Sequence, residues 1–109
     1  IMNKKTASIV SYITIIGWLI AYFSTKDQKR DSLVKFHLKQ SFGLAIVTIL
    51  FNITTTIIAI IIPAIATVLS LIGIVFFVFM IIGIINANNE KETSIPVIGK
   101  LFISKFNFI

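Results

Sequence analysis

The segment Phe42–Ile85, FGLAIVTILFNITTTIIAIIIPAIATVLSLIGIVFFVFMIIGII, contains no charged residue. As one helix rising ~1.5 Å per residue it would run roughly 66 Å, about twice the ~30 Å hydrocarbon core of a bilayer. The chain therefore has to reverse within it. Pro63 is the natural place: proline offers no N–H to a helix interior and pushes the preceding residue out of the helical region. The expected arms are residues 41–62 and 64–85. A reversal at Asn52–Thr56 would leave one arm too short and the other too long.

Working outward, residues 8–24 form another uncharged apolar stretch. As a helix it would cover roughly 26 Å, slightly short of the core thickness, with Tyr12, Trp18 and Tyr22 placed for the interfaces. Lys4 and Lys5 precede it, so it reads as a retained signal anchor. The charged segment Thr25–Lys39 follows, with Asp31 or Ser32 as the expected cap of the next helix. After Ile85 comes a polar exit, Asn86–Glu92, and then Ile95-Pro96. In residues 97–109 most apolar side chains fall on one side of a helical wheel, while Lys100, Ser104 and Asn107 fall on the other. Thirteen residues are too few to span a bilayer. The expected fold is all-α: a single membrane domain of three transmembrane helices plus a C-terminal amphipathic helix lying in the interface.

Composition supports lipid as the solvent. Of 109 residues, 57% are hydrophobic and 13% charged, against about 25% charged in a soluble domain. Mean hydropathy is +1.01. The absence of cysteine excludes disulfides, thiolate metal sites and thiol nucleophiles. The net charge of +6 sits on residues flanking apolar spans, so it reads as a topology signal and not as a nucleic-acid interface. With three spans, Lys4 and Lys5 lie on one side. Lys26, Lys29, Arg30, Lys35, Lys39, Lys91, Lys100 and Lys105 lie on the other. The positive-inside rule then puts the N-terminus outside a bacterial inner membrane, with the first loop and the tail cytoplasmic and facing anionic lipid.

Small and hydroxyl residues recur at helical spacing along the spans: Ser11 and Thr14; Ser41, Thr48, Asn52 and Thr55; Ser70, Gly73 and Gly83. Such residues let helix backbones approach and hydrogen-bond across a seam or to a partner. Asn52 is the most polar group at mid-membrane depth, with Ser11, Thr14 or Ser70 of the same chain, or another subunit, as its expected partner. A polar conduit is the competing reading of this seam. Ion pathways usually place ionisable groups in the membrane, and there are none here. His37, Gln40 and Ser41 share a helical face at the mouth of the second span. The only histidine has no second histidine, cysteine or carboxylate at ligand spacing, so a polar cluster is expected and a metal site is not. No serine or threonine has an evident base beside it, and Gly99-Lys100 lacks the rest of a phosphate loop. No enzyme activity and no cofactor is expected.

The block Lys35-Phe36-His37-Leu38-Lys39-Gln40-Ser41, the two apolar spans after it, the exit Ile84-Ile85-Asn86-Ala87 and the tail Ile95-Pro96-Val97-Ile98-Gly99-Lys100-Leu101-Phe102 resemble a family of small bacterial membrane proteins related to the Tic-type import component of the chloroplast inner envelope. The resemblance implies a helical membrane protein and, weakly, protein import. Three functional expectations follow. The first is a non-enzymatic accessory or scaffold subunit of a larger membrane complex. The second is a transport role, as an import component or a small homo-oligomeric pore. The third is protection against membrane-active peptides.

Overall fold

The computed structural model describes residues 3–26 and 30–109. Asp27 and Lys29 of the charged loop lie outside the described residues. Four α-helices follow one another: α1 (Lys4–Val10), α2 (Ile15–Thr25), α3 (Ser32–Ile61) and α4 (Pro63–Asn88), with a 3₁₀ turn at Gly99–Phe102. No strand occurs among the described residues.

α3 and α4 form a long antiparallel hairpin, and among the described residues only these two helices are long and apolar enough to cross a membrane. Asp31 caps α3, its carboxylate accepting from the Leu33 N–H at 2.9 Å. The chain reverses at Ile62 alone, which ends α3 and precedes Pro63 at the start of α4. Proline is tolerated there because its missing N–H would have no partner in the first turn. Asn52–Thr56 lie inside α3, far from any turn. The hairpin gives the molecule its extents of 48 × 22 × 22 Å. Its flanks are bare hydrocarbon: Ile60 and Ile61 at the tip are 80% and 70% exposed. A core helix of a soluble protein would be covered, so this surface marks contact with lipid or with another apolar surface.

The first apolar stretch departs from the expected third span. It breaks at Ser11–Thr14 into two helices of 7 and 11 residues, roughly 10 and 16 Å long and too short to cross a bilayer. The cause is local and tertiary. The Ser11 hydroxyl donates to Ser8 O at 2.7 Å, and Thr14 adopts an extended backbone from which its hydroxyl accepts the Gly17 N–H at 3.2 Å. Such side chains offer the backbone an alternative to continued helix. On a straight helix Tyr12 and Trp18 would project about 120° apart. The break turns both toward α3. Gly17 makes the return possible: a Cβ there would lie 2.5 Å from the Val10 carbonyl oxygen that α2 passes.

α1 therefore runs in beside α4, and α2 runs back beside α3. Lys4 Nζ lies 3.8 Å from Glu90, a half-exposed pair that contributes little energy but fixes the geometry. At the other end of α2, Arg30 donates to Tyr22 O at 2.8 Å and to the Thr25 hydroxyl at 3.0 Å, and stacks over the Tyr22 ring. The start of α1, the end of α2 and the tail after α4 thus share one end of the molecule. The first apolar stretch turns back, so the N-terminus lies at the same end of the molecule as the tail and not, as expected, at the opposite end.

The tail also departs from expectation. Residues 97–109 form one 3₁₀ turn and irregular turns, not an amphipathic helix. Val97 and Phe106 have φ of 70° and 58°, a left-handed conformation that ends any helix at those points. The tail folds back instead: Ile95, Phe102 and Ile109 are buried. Ile109 joins Ala7, Trp18, Val34 and Leu38 in one apolar cluster, with Phe42 and Phe106 packed against it. Ile95 joins Tyr12, Leu44 and Ala87 in a second.

Candidate functional site

The polar groups converge where α3 leaves the head of the molecule. His37 and Gln40 are fully buried and Ser41 nearly so. Each is bound to a different part of the chain. The His37 Nε2 lies 2.8 Å from the carbonyl oxygen of Lys91. A carbonyl can only accept, so Nε2 carries the proton, and Nδ1 accepts from the Tyr12 O–H at 2.7 Å. Both ring nitrogens of this neutral tautomer are engaged, which leaves no lone pair for a metal or a substrate proton. Gln40 makes a two-point clamp on the tail: its amide donates to Gly99 O at 2.7 Å and accepts from the Ile95 N–H at 3.1 Å. The Gly99 carbonyl is a group that a helical tail would have used for itself. Ser41 turns its hydroxyl onto His37 O and Leu38 O of its own helix. Trp18 donates its indole N–H to Leu38 O at 2.9 Å.

Two glycines seat the rings around this knot. A Cβ on Gly83 would overlap the Tyr12 ring, and one on Gly43 would overlap the Phe102 ring. Gly83 thus belongs to a contact with α1, and Gly43, which hydropathy and spacing did not mark, is the socket for the tail. Tyr12 and Trp18 likewise serve as the polar handles of α1 and α2, where the sequence had suggested interfacial rings. Their O–H and N–H groups need partners when buried, and that need is the signal that could have found them.

The residues further along the hairpin are not brought into the knot. Asn52 donates to Thr48 O, four residues back on α3, at 3.0 Å, and its side chain faces outward; it meets neither Ser11, Thr14 nor Ser70. Ser70 bonds Ala66 O on its own helix. Thr55 keeps a buried hydroxyl oxygen with no partner among the described residues. Gly73 has ordinary contact with Phe51 across the hairpin. Ser11, Thr14, Ser41, Thr48 and Gly73 instead share the lining of a cavity of about 380 Å³ beneath the α1–α2 turn. Among the described residues no group of three or more His, Asp or Glu side chains is placed to hold a metal ion. Asp31 is committed to its cap, Glu90 to Lys4, and Glu92 to the Ser32 hydroxyl at 2.9 Å.

An apolar two-helix hairpin, crowned by a re-entrant helical pair and a tail tied down by buried side chains, defines a small helical protein of membrane type. The chain belongs to the MamF/MmsF family, described as a magnetosome magnetite crystal formation protein family, whose model matches residues 3–102. This overturns the resemblance to a Tic-type import component. The Phe36-His37-x-x-Gln40 block that carried it does the work of joining α3 to α1 and the tail, and such a short block does not define an import protein. No curated protein and no solved structure matches the chain.

Proposed function

We propose that the protein is a non-enzymatic accessory subunit that spans its membrane as the α3–α4 hairpin and packs through that hairpin against a larger membrane complex. One observation carries the reading: the buried polar side chains of the head are paired with one another or with backbone, while the flanks of the hairpin are exposed hydrocarbon. A site built for chemistry keeps reactive groups free; here the freedom lies in lateral apolar surface. Family membership supports a role in a membrane whose proteins act in magnetite crystal formation. Within such a membrane the chain is better suited to organising protein and lipid than to touching mineral. All four of its carboxylates lie in the polar segments, and the far tip, Ile60–Ile65, carries no charged or hydroxyl side chain. Purification from native membranes in mild detergent should recover the chain with a stoichiometric membrane partner. Recovery as a lone monomer overturns the reading.

The same proposal fixes sidedness. The described lysines and Arg30 belong to segments gathered at one end, so the positive-inside rule places that whole end, N-terminus included, in the cytoplasm, against anionic lipid. Because the chain has no cysteine, single-cysteine variants report without background. Lys5→Cys and Asn107→Cys are expected to react with an impermeant maleimide from the same side. Labelling from opposite sides would restore a three-span topology.

A further inference from the structure

The cavity beneath the turn between α1 and α2 is not explained by an accessory role. It has a roof at Ser11 and Thr14, one wall on α3 at Leu44 and Thr48, and one wall on α4 at Phe76 and Met80. At about 380 Å³ it falls within the ~300–1,000 Å³ typical of ligand sites. We propose that this cavity holds a hydrocarbon tail of a membrane phospholipid as a resident part of the structure.

Three observations select that occupant. Most of the polar groups at its rim are already engaged inside the protein. Ser11 donates to Ser8 O, Tyr12 bonds His37, Trp18 donates to Leu38 O, and Ser41 donates to His37 O and Leu38 O. A polar ligand or an ion would therefore find little to bind, whereas a hydrocarbon chain needs only the apolar walls. The second observation is depth. α2 is roughly 16 Å long, about one leaflet of a ~30 Å core, while α3 and α4 continue past it. The α1–α2 pair packs against the first part of α3, with its turn level with Ser41–Ala45, and leaves an open column of the hairpin below that turn. The molecules available at that depth are the acyl tails of the surrounding membrane lipids. The third is vacant room. A Cβ on Gly73, which lines the cavity, would meet only the Phe51 ring, at 3.8 Å, so the wall is not closed by protein.

The test uses the full chain in nanodiscs containing a phospholipid with a diazirine near the end of one acyl chain. Parallel discs carry a diazirine fatty acid. After irradiation, adducts are mapped by mass spectrometry. The phospholipid probe is expected to label the cavity walls, Leu44–Thr48 and Phe76–Met80, at least about tenfold more than the outward face around Leu50 and Ile57. Gly73→Phe, which fills the space, should abolish the wall labelling and leave the outward face unchanged. Ala45→Leu, a smaller filling from the opposite wall, should reduce it. Equal labelling of walls and outward face overturns the proposal. So does labelling by the fatty acid alone, or cross-linking of a second protein copy at the walls. Unchanged wall labelling in a folded Gly73→Phe variant overturns it as well.

Discussion

Gly83→Val is expected to destabilise the detergent-solubilised protein by about 3–5 kcal/mol, as the sum of overpacking and a broken buried hydrogen bond. A side chain at this position occupies the space of the Tyr12 ring. Tyr12 cannot yield without withdrawing its O–H from His37, and Tyr12 is the anchor of α1 in the cluster with Leu44, Ala87 and Ile95. The damage should therefore spread beyond one helix contact. Denaturant or SDS titration followed by tyrosine and tryptophan fluorescence measures it. The control is Tyr12→Phe, which keeps the ring in its socket and removes only the hydroxyl. It leaves His37 Nδ1 unpaired and should cost about 1–3 kcal/mol. If Gly83→Val behaved no worse than Tyr12→Phe, the ring would not be seated against α4 and the re-entrant path of α1 would be wrong.

Gln40→Leu is expected to release the tail while leaving the hairpin intact. Leucine preserves most of the buried volume, so the loss is electrostatic: the Ile95 N–H and the Gly99 carbonyl are left without partners in a buried setting. At about 1–3 kcal/mol for each of the two stranded groups, the tail opens roughly tens to tens of thousands of times more often. Trypsin should then cut at Lys100 and Lys105 at correspondingly higher rates, with the helical circular dichroism signal of α3 and α4 unchanged. Gln40→Glu should not rescue, because its second oxygen would face the Gly99 oxygen. A wild-type cleavage rate in Gln40→Leu would mean that the apolar anchors Phe102 and Ile109 hold the tail alone.

These two substitutions fall on parts of the molecule that differ in how legible they were. The hairpin is written locally. An uncharged run too long for one crossing, one proline near its middle and an aspartate ahead of it determine α3, the reversal and α4 through hydrophobic solvation, proline sterics and capping. The re-entrant pair is also written locally, but in a weaker script. Hydropathy sums over residues 8–24 and sees a span. The breaking signal is the hydroxyl series Ser8, Ser11 and Thr14, with Gly17 three residues beyond the last, each residue a modest perturbation. What decides the outcome is distant, namely the need of Tyr12 and Trp18 to reach His37 and the Leu38 carbonyl. The tail was the least legible. Its wheel of apolar residues looked amphipathic, yet its path is set by Gln40, more than fifty positions earlier, and by a missing side chain at Gly43. The grouping of His37, Gln40 and Ser41 on one face could be read from spacing; the elements they would bind could not. Of the partners expected for Asn52, those on its own chain go unused, since the amide turns to its own helix.

The single-residue reversal at Ile62 has a consequence for how the protein enters a membrane. Nothing in or near that turn is charged, and the arms on either side are uncharged for about twenty residues each. Moving a lysine, arginine or aspartate through the middle of the hydrocarbon costs about 2.5–3.5 kcal/mol on the translocon scale, and this chain carries no such passenger. On the proposed hairpin topology, biogenesis requires no export of a hydrophilic loop. The two arms can go in together as a closed loop from the side on which they were made, while the basic residues stay behind as a brake that fixes the depth of entry.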